Sequence, residues 1–449
     1  MQRHLILTLA LMLAVGLSAR AQDDTAWVRH LGGDEPLMGR AVAVIGTDVY
    51  TVGELQAGEM NFFVARYDGD GDSLWVRSYE STDNEMVVDA VADGTGHLLV
   101  AVMIEGDPQE MMLVKLNAVG DTVWMRRQPG LMPRSLAVGP DNAAYVWCNT
   151  GHPTPFDSLV LLKYGANGDQ LWQRSHRFGE MNQAAGCAIA ADRVFAAALV
   201  HGSGGMEQML IAFTSGGDTA WTRLLDVIGN AMPAALAPAP EGGFYFSATE
   251  GPMLKLVRCD SEGELVWIHD FPTQTTPENY RNLAVDGHGN VFFATQSPQM
   301  TLGFTAVSPD GEELYSGESE VGGEANAVAV DADNRVIVVG TTMEGLPGAV
   351  TIKFTWAPGV LSPGRGALPA GRTTGATIIK NRTLDLSLPK TGHWNAVLSG
   401  VDGRQAARLY SGSLAAGRYR FSLENLAAGT YILNLDGPEY RNTSRILIP

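Results

Sequence analysis

Residues 67–75 read YDGDGDSLW. Three aspartates, Asp68, Asp70 and Asp72, alternate with two glycines, much as carboxylates alternate at the start of an EF-hand calcium loop. Such a loop also needs Gly at its sixth place and Glu at its twelfth. Counted from Asp68, those places hold Ser73 and Tyr79. The stretch also has siblings: LNAVGDTVW (116–124), YGANGDQLW (164–172), FTSGGDTAW (213–221), CDSEGELVW (259–267) and VSPDGEELY (307–315). Gly71, Asp72 and Trp75 have counterparts in every copy. Asp68 and Asp70 do not: they become Asn117 and Val119, then Gly165 and Asn167. The stretch therefore reads as a turn entering a strand, with a calcium ion on Asp68 and Asp70 as the functional alternative.

The aromatic residue is a ruler. Trp27, Trp75, Trp124, Trp172, Trp221 and Trp267 are separated by 48, 49, 48, 49 and 46 residues, and Tyr315 follows 48 after Trp267. Two residues beyond each Trp comes a basic group: Arg29, Arg77, Arg126, Arg174, Arg223, then His269. Nine residues before it, Arg66, Lys115, Lys163 and Arg258 recur, and Lys353 holds the matching place in the last unit. Each unit carries three further short apolar or alternating runs, such as RAVAVIG, DVYTVG and NFFVARYD in the first. These read as strands joined by tight turns such as DADN (331–334). Four strands per unit of about 48 residues is the arithmetic of a β-propeller. The expected fold is all-β: a seven-bladed β-propeller over residues 22–357, followed by a small antiparallel β-sandwich. The strand around Trp27 precedes the first inner strand, and the last unit lacks a Trp strand of its own. The two should pair, Trp27 against the run around Ile352, and close the ring.

Two resemblances follow from these residues. NLAVDGHGNVFFATQ (282–296) and ANAVAVDADNRVIVVG (325–340) resemble bacterial β-propeller repeats of the SBBP type. The G-[DE]-x-x-W ending resembles the blades of quinoprotein-like propellers, where a Trp docks between neighbouring blades. A quinone enzyme would need cofactor and calcium ligands gathered on the axis, and the Trp repeat does not supply them. No cofactor is expected.

The two ends differ from the middle. Residues 1–21 have a short basic start, a 13-residue apolar run (5–17) and Ala19-Arg20-Ala21 before Gln22, the pattern of a cleaved secretory signal peptide. No later stretch approaches 18 uninterrupted apolar residues, so no transmembrane segment is expected. Residues 358–375 are rich in Pro and Gly without periodicity and read as a linker. Residues 376–449 return to strand patterns in another rhythm. LSGVDGRQAARLYSGSLAAGRYRFSLENLAAGTYILNL (398–435) resembles the C-terminal sorting domain of type IX (Por) secretion cargo from Bacteroidota and relatives. Gly403-Arg404, Gly417, Gly429 and Tyr431 carry the match, while the terminal Pro449 departs from it. The resemblance implies transit through the periplasm, export by the type IX machinery, and a secreted or cell-surface protein.

Composition excludes some functions. Against 31 Lys and Arg stand 49 Asp and Glu, a formal net charge of −18, so no nucleic-acid partner is expected. The three cysteines, Cys148, Cys187 and Cys259, lie in different units and read as buried free thiols. The scattered histidines form no HExxH or other metal pair, and no nucleophile elbow or P-loop occurs. The loops between second and third strands differ in length while the strands hold register. Glu54, Glu59, Glu105, Asp107, Glu110, Asp157 and Glu207 would make their face acidic, suited to a cationic or calcium-bridged ligand. The expected function is a non-catalytic binding or adhesion module for an extracellular glycan or protein. The alternative is a secreted enzyme acting on polysaccharide or glycoside, which would need two carboxylates converging at the axis.

Overall fold

A computed structural model describes residues 25–151, 156–202, 205–225, 232–250, 253–272, 283–297, 299–342, 346–355, 376–378, 382–388, 392–400, 404–414, 417–423, 426–437 and 440–448. The expected signal peptide (1–21), the linker (358–375) and Gly403 lie outside them.

The alternating sequence runs form strands, and the strands pair in chain order into four-stranded antiparallel sheets. Successive units cover residues 37–79, 85–129, 131–176, 181–224, 232–272 and 284–322. In each, the first run forms the innermost strand and the Trp or Tyr run the outermost. The last unit is assembled from both ends of the repeat. Its strands Glu324–Val330, Val336–Thr342 and Gly348–Phe354 are completed by Thr25–Leu31. That strand lies antiparallel to Gly348–Phe354, with Trp27 opposite Lys353 and Val28 opposite Ile352. The closure read from the spare Trp strand is thus observed.

Each sheet is apolar on both faces, so it needs a neighbour on each side. One core joins the first unit to the second around Tyr50, Phe62, Val100 and Val114. Others join each unit to the next along the chain. A further core joins the last unit back to the first through Trp27, Val49, Phe63, Ile337 and Val339. Packing therefore runs in a closed cycle. The Thr51 and Thr351 hydroxyls, 2.6 Å apart, tie its two ends.

The C-terminal segment has its own cores, Leu384, Leu398, Leu423, Leu433, Ile446 and Ile448 in one and Trp394, Ala396 and Leu435 in the other. Thr383–Leu388 pairs with Gly417–Ser422. Tyr440–Ile448, Gly429–Gly437, Gly392–Gly400 and Gln405–Leu414 pair in that order. The short strand Ala376–Ile378 runs parallel to Tyr440–Ile448 and also borders the outermost strand of unit 232–272.

Candidate functional site

The repeated residues build a latch between units. In the opening stretch, the Asp68 carboxylate accepts the backbone N–H groups of Asp70 and Asp72, at 3.0 and 2.8 Å. Asp68 therefore holds the turn, and Asp70 is exposed. Gly71 takes φ +85°, the left-handed region that favours glycine. A Cβ there would lie 2.7 Å from the ring of Trp27, the Trp of the neighbouring sheet. The Trp27 indole N–H donates to the Gly69 carbonyl at 3.2 Å, and the Arg29 guanidinium donates to the Gly71 carbonyl. The same grip recurs. Trp75 donates to the Ala118 carbonyl, Trp124 to Ala166, Trp221 to Ser261 and Trp267 to Pro309, at 2.8–3.2 Å. Each Arg two residues on lies 5.4–6.0 Å over its Trp ring. His269 packs instead at 5.2 Å from the Trp267 ring.

The basic residue nine before the Trp has a partner that the repeat reading left out. An acid in the hairpin between first and second strands pairs with it: Arg66 with Asp48, Lys115 with Asp93, Lys163 with Asp141, Arg258 with Glu241 and Lys353 with Asp331. Lys115 and Lys353 reach on to the carbonyls of Ala166 and Gly69, which the Trp indoles also use. The acids stand roughly one repeat apart, so the signal was present in the sequence. It is weaker than the Trp signal because Gly139 and Ala239 start two of the corresponding hairpins.

Near the axis a second set of bonds joins the units. The innermost strands are bulged at Arg40, Val88, Arg134 and Asn326, with longer irregularities at 184–187 and 233–236. A bulge frees backbone groups from the ladder. Buried side chains of the preceding unit take several of them. Glu54 accepts Val87 N–H at 3.0 Å, Asp89 accepts Leu136 N–H at 2.7 Å, Asn149 accepts Ala184 N–H at 3.0 Å, and Ser135 accepts Cys187 N–H at 3.1 Å. Asn326 closes the set by donating to the Gly39 carbonyl at 2.6 Å.

The acidic residues expected on the loop face divide accordingly. Glu54 lies in strand Asp48–Ala57, its side chain 2% exposed, held by Arg40 at 2.9 Å. Burial pushes its carboxyl up, against the pull of Arg40. This corrects the reading of Glu54 as a ligand-facing loop residue: the strand runs further than the Gly-Glu pair suggested, and the carboxylate serves the bulge. Glu110 is gripped by Arg127, which also reaches Asp83 at 3.1 Å. Asp157 pairs with Arg177 at 2.9 Å. Glu59, Glu105 and Asp107 are exposed, and Glu207 is half-buried in strand Gly205–Thr214. Among the described residues, no group of three or more His, Cys, Asp or Glu is placed to hold a metal ion. The cysteines are free and buried, and burial pushes the Cys187 and Cys259 thiols up to about 12.

In the C-terminal segment, Gly400 N–H donates to the Arg404 carbonyl at 2.8 Å. Gly417 and Gly429 each begin a strand, and the Tyr431 hydroxyl donates to the Ala427 carbonyl at 3.0 Å.

A cavity of about 720 Å³ opens where the innermost strands end, lined by the units from 85–129 to 284–322. Its wall includes Val91, Val138, Cys187, Ile189, Pro238 and Val285. Asp286 is the acid among the described lining residues. Its carboxylate is buried and spent on its own hairpin, accepting His288 N–H, Asn290 N–H and the Asn290 amide at 2.8–2.9 Å.

With this geometry in hand, solved structures similar to the chain can be set beside it. A puromycin hydrolase mutant complexed with PGG is 16% identical, with a TM-score of 0.50, over 70% of this chain and 51% of that one. Virginiamycin B lyase from Staphylococcus aureus is 12% identical, with a TM-score of 0.47, over 73% and 98%. The Dos1 propeller is 11% identical, with a TM-score of 0.46, over 74% and 94%. The repeated four-stranded sheets, packed in a closed cycle, define the class: an all-β protein of β-propeller repeat architecture. At these identities the likeness is one of fold alone. No family model and no curated protein matches the chain.

Proposed function

We propose that the repeated sheets are the seven blades of a propeller that serves outside the cell as a non-catalytic binding module. The C-terminal segment is its β-sandwich sorting domain for type IX export. The observation that carries the binding reading is the fate of the inner carboxylates. Glu54 and Asp89 each bind a backbone amide of the next unit, and the one acid among the described residues lining the axial cavity is itself consumed. Glycoside hydrolysis asks for two carboxylates about 5–9 Å apart with room for substrate between them. These carboxylates are frame, and the frame leaves an open cavity.

The test is a screen of the purified protein against glycan arrays and extracellular proteins, with and without calcium, beside turnover assays on the glycans that bind. Saturable binding without bond cleavage is expected. Hydrolysis that disappears in Glu54→Gln or Asp89→Asn, with the fold intact, would instead establish the enzyme reading.

A further inference from the structure

We propose that the axial cavity of about 720 Å³ is a binding site for an uncharged small molecule. This rests on the binding-module reading and names the ligand class that site takes. The volume falls within the range of about 300–1,000 Å³ usual for small-molecule pockets.

One sequence feature opens the space: the innermost strands of units 181–224 and 232–272 are rich in small residues, AAGCAIAA (184–191) and AALAPAP (234–240). A Cβ at Gly186 would lie 2.6 Å from the Leu236 nitrogen, so these strands approach backbone to backbone. Among the described residues, little side-chain volume remains to fill the mouth.

The wall chemistry selects the ligand. Val91, Val138, Ile189, Leu283 and Val285 are half-buried and line the cavity, with Pro238 exposed beside them. No Lys, Arg or His lies among the described lining residues, and Asp286 shows no carboxylate surface. The Cys187 thiol, with burial raising its pKa to about 12, stays protonated. An ion entering this mouth would shed water with no counter-charge opposite it. A neutral molecule would gain by covering aliphatic surface while its polar atoms meet the backbone groups of the wall.

Nile red, a neutral fluorescent probe, tests this on the full chain. Val138→Trp fills the mouth, and Ile189→Asp puts a charge on its wall. Leu74→Ser, on an outermost strand with Leu74 47% exposed, is the control. Circular dichroism and melting temperature report the fold of each variant. The wild type and Leu74→Ser should show saturable, one-site fluorescence enhancement. Each cavity variant should weaken binding about tenfold or more, a shift of about one decade in Kd. Should Val138→Trp fail to fold, Ile189→Asp decides alone. Absence of saturable binding in the wild type, or equal binding by the wild type and the folded cavity variants, overturns the proposal. So does equally tight binding of the anionic probe anilinonaphthalene sulfonate in competition with Nile red. A glycan or protein ligand that still binds in that case leaves the binding module standing and removes only the ligand class.

Discussion

At the scale of the residue, the Gly of the G-[DE]-x-x-W ending is as constrained as the Trp. Gly168 sits at φ +83°, and a Cβ would lie 2.7 Å from the Trp124 ring and 3.0 Å from Arg126 Nη2. Gly168→Ala combines left-handed strain with a clash against a packed ring and should destabilise the protein by about 2–4 kcal/mol in chemical denaturation. Gly46 has a similar φ of +65° with nothing within 4 Å, so Gly46→Ala should cost only about 1 kcal/mol. Equal losses would show that the Trp ring is not the constraint. The Lys115–Asp93 pair makes a second prediction. Burial pushes the Asp93 carboxyl up, but hydrogen bonds from Lys115, the His97 amide and Thr95 outweigh it and bring the pKa down to about 2. A lowered carboxyl contributes stability above its unfolded value of about 4, and that contribution is lost as pH falls through about 2. Lys115→Met strands the buried carboxylate and should cost on the order of 3 kcal/mol at pH 7. The gap between variant and wild type should narrow as pH drops from about 5 through 2, below which Asp93 is neutral in both. A gap independent of pH would mean that Lys115 acts through packing alone.

At the scale of the element, the strand Thr25–Leu31 closes the cycle of sheets. It supplies the outermost strand of the last unit, the Trp27–Arg29 grip on the 68–72 turn, and apolar contact to both terminal units. A chain beginning at residue 32 would expose the edge of Gly348–Phe354 and leave the first core open. It should melt at lower temperature and self-associate, because an unpaired edge invites pairing with another chain. Differential scanning calorimetry and light scattering measure both. A synthetic peptide covering residues 22–32 should restore the wild-type melting temperature at high concentration. Unchanged melting after truncation would remove the strand from the closure.

At the scale of the whole molecule, the proposed export route is tested by cutting away residues 370–449. The truncated protein should remain in the periplasm, while the full chain reaches the medium or the outer surface; fractionation and immunoblotting distinguish the two. Normal surface delivery of the truncated chain would refute the sorting reading. The C-terminal segment has its own cores but also borders unit 232–272 through Ala376–Ile378, so the melting temperature of the truncated chain is measured beside its location.

The four-stranded units and their closure were legible in the sequence because each rests on residues that recur. Trp75, Gly71 and Arg77 occupy equivalent places at fixed spacing, and period-2 apolar runs fix strand faces. The turn at 68–72 was legible too, because Gly71 and Asp72 recur, but the part that Asp68 plays in it was not. The inner-strand bulges were not legible, and Glu54 was misplaced for that reason. A bulge inserts one residue without a composition signal, and its cost is met by a side chain from another unit, tens of residues away. The axial cavity was likewise decided by the tertiary structure. Runs of Ala on two neighbouring strands look unremarkable in the chain. They leave a space only when the cycle brings those strands around one axis. Local periodicity determines which strands form and which neighbour each will face. What the centre of the ring presents depends on volumes summed across units, and only the folded ring performs that sum.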